Sequence, residues 1–213
     1  MWMLYKKIRM FKENGDVLDF GCGAGNFAKY LSEKGYEVDC LDVNKEAINW
    51  VRKIHGLPIT KEIPNKKYDL ILLNTVLEHL PNPINEMEKI KKHLKEDGII
   101  IIAIQNINSL QARLFRRNWF HLDAPRHITH FYKDSFEKMT KKENLKIIKK
   151  FYFNLNIDPA GWYWSIKKPA YNRHHEIKNP SRVMLCLFVP LVAITSLLKS
   201  TGQIIYVITR DKK

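Results

Sequence analysis

A chain of 213 residues, 45% of them hydrophobic, fits one domain of ordinary to large size with a real core. Thirty-six basic against 22 acidic residues give a formal charge of +14, but the lysines are scattered in pairs such as Lys6-Lys7, Lys91-Lys92 and Lys149-Lys150. That is the pattern of solvated helix faces, and no tract is compact enough to define a nucleic-acid groove.

Residues 2–12 place Trp2, Leu4, Tyr5, Ile8 and Phe11 at helical spacing, predicting a short amphipathic helix on the sheet edge or over a bound ligand. The same start lacks an apolar h-region and a small-residue cleavage site, so no signal peptide is expected. Cys22, Cys40 and Cys186 are odd in number and lack metal-ligand spacing, which makes a reduced cytoplasm the simplest setting. Residues 17–20 read as a buried strand that breaks into a turn with Gly21, Gly23 and Gly25, then enters a helix over 26–34 stopped by Gly35. A second strand, 37–42, ends on Asp42. Asn44 caps the next helix, with Ala47, Ile48, Val51 and Ile54 inward until Gly56 and Pro58. After a weak strand near 57–60 comes YDLILLN, 68–74, an almost continuous apolar run of the kind buried on both faces of a parallel sheet. A helix over 84–95 carries Met87, Ile90, Lys91 and Leu94 inward, and Asp97-Gly98 turns the chain into a fifth strand, 99–104. Five strand-helix units in series predict a doubly wound parallel sheet. Then come a long irregular segment, 105–133, a helix over 135–143, a strand over 145–153, and a closing strand, 203–210. The apolar stretch 183–198 is too short to span a membrane and contains Pro190, Thr195 and Ser196. A buried or site-covering helix is the first reading for it, in-plane membrane contact the second.

The glycine turn identifies the ligand class. Without side chains at 21, 23 and 25, a nucleotide-like molecule can approach the backbone closely. The dinucleotide pattern G-x-G-x-x-G fails because position 26 is Asn26, and no Lys-Ser or Lys-Thr pair serves a triphosphate. What stands here is acid-x-Gly-x-Gly-x-Gly, with Asp19 two residues before Gly21 and a second acid, Asp42, about 20 residues after it. This spacing resembles motif I of the class I S-adenosylmethionine-dependent methyltransferases. The resemblance covers 16–153 and the final strand. It implies a Rossmann-like, doubly wound, seven-stranded sheet, mostly parallel, with the antiparallel last strand inserted between strands five and six. It also implies that Asp42 takes both ribose hydroxyls and that the Asp19 loop faces the methionine half. The expected cradle is Asp19, Gly21, Cys22 and Gly23, with Asp42 and Val43 at the ribose and adenine and Asn74 toward the methionine end. Glu62 or Ile63 would line the other side of the adenine.

Methyl transfer from a sulfonium needs a bound donor, an aligned acceptor and sometimes one base, and no nucleophilic side chain. Two segments can supply the base. LEHLPNP, just past the fourth strand, resembles the corresponding stretch of small-molecule methyltransferases and offers His79. The segment from Trp119 to His130 resembles the W-x-x-x-D-x-P-R-H region of methyltransferases associated with polysaccharide, lipid or quinone modification. From it Trp119, Arg126 and His127 are the acceptor-side candidates, and His127 is the preferred base. The metal-assisted variant of the family places a carboxylate where this chain has Thr75, and the histidines of 121–130 lack zinc-site spacing, so no metal is expected.

The expectation is one methyltransferase domain over 1–213, with core 14–153 and 203–211 and lid insertions at about 105–133 and 155–202. It would move a methyl from S-adenosylmethionine to a small-molecule, sugar- or lipid-linked acceptor, oxygen ahead of nitrogen, in the cytoplasm, with peripheral membrane contact through 183–198 as a further expectation. Charge alone carries the rival reading of an RNA or protein methyltransferase. Position 74 is not followed by the Pro-Pro-aromatic sequence of amino-methylating nucleic-acid enzymes, and no Pro-Cys pair serves cytosine attack. The rival from another class is a non-catalytic scaffold that binds the cofactor or a partner.

Overall fold

The computed structural model describes residues 1–152, 155, 157–167 and 181–211. Seven strands form one sheet: β1 Gly15–Phe20, β2 Tyr36–Leu41, β3 Ile59–Thr60, β4 Tyr68–Asn74, β5 Leu94–Gln105, β6 Leu145–Phe151 and β7 Gln203–Arg210. Their order is β3-β2-β1-β4-β5-β7-β6. The first five pair in parallel, while β7 lies antiparallel to both β5 and β6. The sheet is therefore doubly wound and mostly parallel, as the alternation of apolar runs with helical periods predicts.

Strands β1, β4, β5 and β7 carry apolar side chains on both faces, so both need covering. On one face Leu18, Ile71, Ile100 and Tyr206 pack under Met87 and Ile90 of α4 (Pro83–Lys92) and Phe136 of α6 (Lys133–Lys142). On the other, Val17, Leu70, Ile101 and Val207 pack under Leu4 and Ile8 of α1 (Trp2–Arg9), Ala28 and Leu31 of α2 (Asn26–Ser32), and Ile48 of α3 (Lys45–Trp50). The N-terminal helix thus lies on a sheet face, with Trp2 exposed. Helix α3 starts where expected, since the Asn44 side chain accepts from the Glu46 and Ala47 amides at 2.7 and 3.2 Å.

Four local expectations need correction. Ile54 is exposed because residues Val51–His55 form a π turn, whose longer hydrogen-bond span moves the inward stripe off register. Leu94 belongs to β5, and Asp97-Gly98 lies inside a bulge of that strand, where Tyr68 pairs with Leu94 and Leu70 with Ile99. The segment 105–133 holds a helix, α5 Leu110–Phe115, whose N-cap Ser109 accepts from the Ala112 amide at 3.0 Å; two 3-10 turns follow it, Arg116–Asn118 and Phe120–Leu122. The stretch 183–198 is not a buried helix but two short ones, α8 Arg182–Cys186 and α9 Val189–Leu197, that bury Val192 and Thr195 and expose Leu187, Leu197 and Leu198. Among the described residues no helix is long and apolar enough to cross a membrane. The tail of the expected sixth strand, at 153, and much of the insertion, 168–180, fall outside the described residues.

Candidate active site

The glycine turn leaves the carboxyl end of β1, where an open α/β sheet places its ligands. Two amides of the turn, Gly21 and Cys22, donate to the Leu41 carbonyl at 2.7 and 3.1 Å, tying it to the end of β2. One residue on, the Asp42 carboxylate accepts from the Gly23 amide at 2.8 Å and from the Asn44 amide at 2.9 Å. The turn and the second acid are therefore one unit. Gly21, Gly23 and Gly25 all hold left-handed backbone, with φ of +72°, +55° and +69°, which any other L-residue resists.

The three glycines differ in what lies above them. A Cβ on Gly21 would sit 2.7 and 2.8 Å from the methyls of Val76, and one on Gly25 would meet a Val51 methyl at 2.7 Å. A Cβ on Gly23 would have nothing within 4 Å. Gly23 is the position at which bare backbone faces open space, as an adenosyl ligand requires.

A cleft of about 840 Å³ opens beside the turn. Its apolar walls include Phe20, Ile63, Val76 and Leu80, its polar end is Asp42, and the 76%-exposed Val43 stands at its rim together with Glu62. Volume, an apolar slot and a carboxylate with further lone pairs fit a nucleoside. Asp19 and Asn74 point to the opposite sheet face: Asn74 lines a separate small cavity of about 150 Å³ with Leu4, Lys7 and Phe27. Asp19 is 4% exposed, and burial, with the Asp42 charge second, pushes its carboxyl up to about 7.

A second volume of about 420 Å³ adjoins the cleft, and Thr75 and His79 line both. Thr75, a β-branched residue at φ +59°, holds a strained conformation of the kind that collects at functional sites. His79, Asp123, Arg126 and His127 line the second volume, and Ile157 and Ala160, at the start of α7 (Asp158–Lys167), close it. The two sequence segments expected to bear the base are pinned together here. The Ile128 and Thr129 amides donate to the Glu78 carbonyl at 3.0 and 3.1 Å, and His79 Nδ1 lies 2.8 Å from the Arg126 carbonyl. The rings of His79 and His127 meet edge to face with centroids 4.7 Å apart.

Trp119 does not face this volume. It is 1% exposed, its indole N–H donates to Gln111 Oε1 at 3.3 Å, and it packs against His121. Arg126 lines the volume while ion-pairing with Asp123.

Sequence reasoning passed over Glu78. It is 1% exposed, neither carboxylate oxygen has a hydrogen-bond partner among the described residues, and burial pushes it up to about 7. One oxygen lies 4.0 Å from His127 Nε2. A glutamate at the foot of an apolar stretch next to a histidine was the available signal.

Comparison with known proteins agrees with this geometry. A family model described as "Methyltransferase domain" matches residues 4–150. The chain is 30% identical over 120 residues to the ubiquinone biosynthesis O-methyltransferase of Proteus mirabilis, covering 50% of this chain and 45% of that protein. With an uncharacterized protein of Methanocaldococcus jannaschii it shares 30% identity over 145 residues, 65% of this chain and 64% of the other. The chain thus spans less than half the length of the Proteus relative. Solved S-adenosylmethionine-dependent methyltransferases from Archaeoglobus fulgidus and Clostridium acetobutylicum share the fold. The TM-score is 0.62 for both, at 18% and 15% identity, covering 98% of this chain and 91% and 89% of theirs. Domain model, strand order and glycine turn agree: the chain belongs to the class I S-adenosylmethionine-dependent methyltransferases.

Proposed function

We propose that this methyltransferase transfers the methyl group to an oxygen of a small-molecule acceptor, free or attached to a lipid or sugar, and that one domain over 1–213 does so. The observation that carries the reading is the pair of volumes meeting at Thr75 and His79, one with a nucleoside's slot and carboxylate, the other smaller and lined by histidines. In this reading Gly21, Cys22 and Gly23 present backbone to the cofactor, Asp42 accepts from the ribose hydroxyls and Val43 packs on the adenine. The methionine half would reach past the strand ends toward the small cavity on the other sheet face, where Asn74 lines the wall and Asp19 is buried. The oxygen-methylating relative named above favours oxygen over nitrogen.

S-adenosylmethionine supplies a methyl already activated by the sulfonium charge. What remains for the chain is to align the acceptor and receive its proton. A carbonyl can only accept, so Nδ1 of His79 and of His127, each 2.8 Å from a backbone carbonyl, carries the hydrogen. Nε2 is then the basic atom of both rings, and burial holds the His127 ring below the usual histidine range, neutral near pH 7. Arg126 shapes the acceptor side. The exposed apolar rim of α8 and α9 would rest on a membrane carrying a lipid-linked acceptor.

Calorimetry with S-adenosylhomocysteine, then a panel of phenols, sugar hydroxyls and prenylated phenols assayed for release of that product, tests the proposal. Binding, turnover on one of these hydroxyl classes, and a loss of about 100-fold or more in His127→Ala with product affinity kept, are expected. No heat with the homocysteine product, or turnover confined to amines, overturns it.

A further inference from the structure

We infer that Glu78, His79 and His127 form a binding site for one first-row divalent cation of the zinc type, opening on the acceptor volume. The inference rests on the acceptor-side reading above and changes one role in it: with an ion bound, Nε2 of His79 and His127 are ligands, and the ion in place of His127 would ease loss of the acceptor's proton.

The ligand atoms of the three residues lie within 4.8 Å of one another. A tetrahedral zinc site with bonds of about 2.0–2.2 Å places neighbouring ligands about 3.3 Å apart, so rotations of roughly 1 Å at the side-chain ends close this set around an ion. Both imidazoles are already in the tautomer a metal needs. Nδ1–H of His79 is committed to the Arg126 carbonyl and Nδ1–H of His127 to the His121 carbonyl, each at 2.8 Å, leaving both Nε2 lone pairs bare. This outer hydrogen bond to a backbone carbonyl is the usual support of a metal-bound histidine.

Glu78 supplies the independent observation. A carboxylate that is 1% exposed, with neither oxygen hydrogen-bonded, is costly to keep ionised unless a cation joins it. Among the described residues lining this volume, the one cationic side chain, Arg126, is turned to Asp123. Asp123 Oδ2, 3.9 Å from His127 Nε2, is held by that arginine and stands outside the set.

Two imidazoles and one carboxylate favour zinc, iron, cobalt or nickel over magnesium or calcium, which take oxygen. Three protein ligands would leave a position open, and two of them, His79 and His127, line the volume where an acceptor oxygen would arrive. The geometry is fixed in advance: the amides of Ile128 and Thr129 lock the His127 segment to the Glu78 backbone. The expectation of no metal came from spacing within single segments, whereas these ligands come from two segments that only the fold brings together.

Co²⁺ titration of the untagged, chelator-treated full chain reads the site directly through visible d–d absorption, with Zn²⁺ competing. One equivalent bound below about 10 μM, displaced by Zn²⁺ and not by Mg²⁺, is expected. Glu78→Gln, of the same shape, and His127→Asn should each weaken binding by at least tenfold. Homocysteine-product binding, measured alongside on the same variants, reports whether they fold and whether the cofactor reading holds. The metal proposal is overturned if the wild-type protein binds the product but no Co²⁺ below about 100 μM, or if both variants bind Co²⁺ as well as wild type. Metal binding without product binding would instead retain this site and remove the cofactor assignment.

Discussion

Asp19 is a carboxyl group placed where ionisation is expensive, and its titration can be read from outside. Its folded-state value of about 7 lies above the unfolded 3.8, so the folded chain holds a proton that the unfolded chain releases. Its contribution is most favourable below pH 4, falls as pH rises from about 4 to 7, and is flat above. Asp19→Asn removes the dependence. Urea unfolding at pH 4.5, 6 and 8 should show wild type losing ground to the variant by up to roughly 4 kcal/mol across that range; a constant difference would mean that Asp19 stays ionised throughout. The glycines permit a sharper separation. Gly21→Ala puts a methyl into Val76 at φ +72° and should cost about 2–4 kcal/mol of stability, part of it recovered by Val76→Ala. Gly23→Ala meets no neighbour among the described residues and should cost only about 1–2 kcal/mol, yet in the proposed cradle its methyl would stand in the cofactor's approach. Calorimetry with S-adenosylhomocysteine is expected to show at least a tenfold loss in Gly23→Ala, with urea unfolding still cooperative.

At the scale of elements, the caps carry what propensity leaves open. Helix α3 is short, with one buried residue, Ile48, so Asn44 matters more than its exposure implies. Asn44→Ala should lower stability by about 1 kcal/mol, measured by urea unfolding, and shift the adjacent Asp42 enough to weaken product binding severalfold. The strands and most helices were legible from residues alone, because YDLILLN has no competing reading and Asn44 and Gly35 mark helix ends by chemistry that acts locally. Ile54 was misread because its period is broken by a π turn, a feature with no residue signature. The Asp97-Gly98 pair was read as a turn because a bulge differs from one only in what the neighbouring strand does. That the glycine turn would meet Asp42 was legible, because both stand at the carboxyl ends of neighbouring parallel strands. The pairing of Glu78 with His127 was not, because 49 positions separate them and the segment joining them is anchored by backbone hydrogen bonds that any sequence could make.

At the scale of the whole molecule, charge and apolar surface are distributed unevenly. The net +14 is spread over helix faces, while Leu187, Leu197 and Leu198 are 75%, 84% and 66% exposed within one short stretch. For the membrane contact proposed above, protruding leucines on a chain of net positive charge favour an anionic bilayer surface. Sedimentation with phosphatidylglycerol vesicles should carry wild-type protein down, and Leu197→Glu with Leu198→Glu should leave it in the supernatant, with product affinity unchanged. Equal sedimentation of both would leave electrostatics as the whole attraction.

The sheet order also constrains how the chain comes into being. Strand β7 is the last of the seven in the chain, yet it separates β5 from β6 and pairs with both. While the chain emerges from the ribosome, β6 is finished with no neighbour to join, and β5 waits with an unpaired edge until some fifty more residues have been translated. The residues between β6 and β7 are therefore synthesised before the scaffold beneath them can close. Chaperone capture and misassembly should concentrate in that interval.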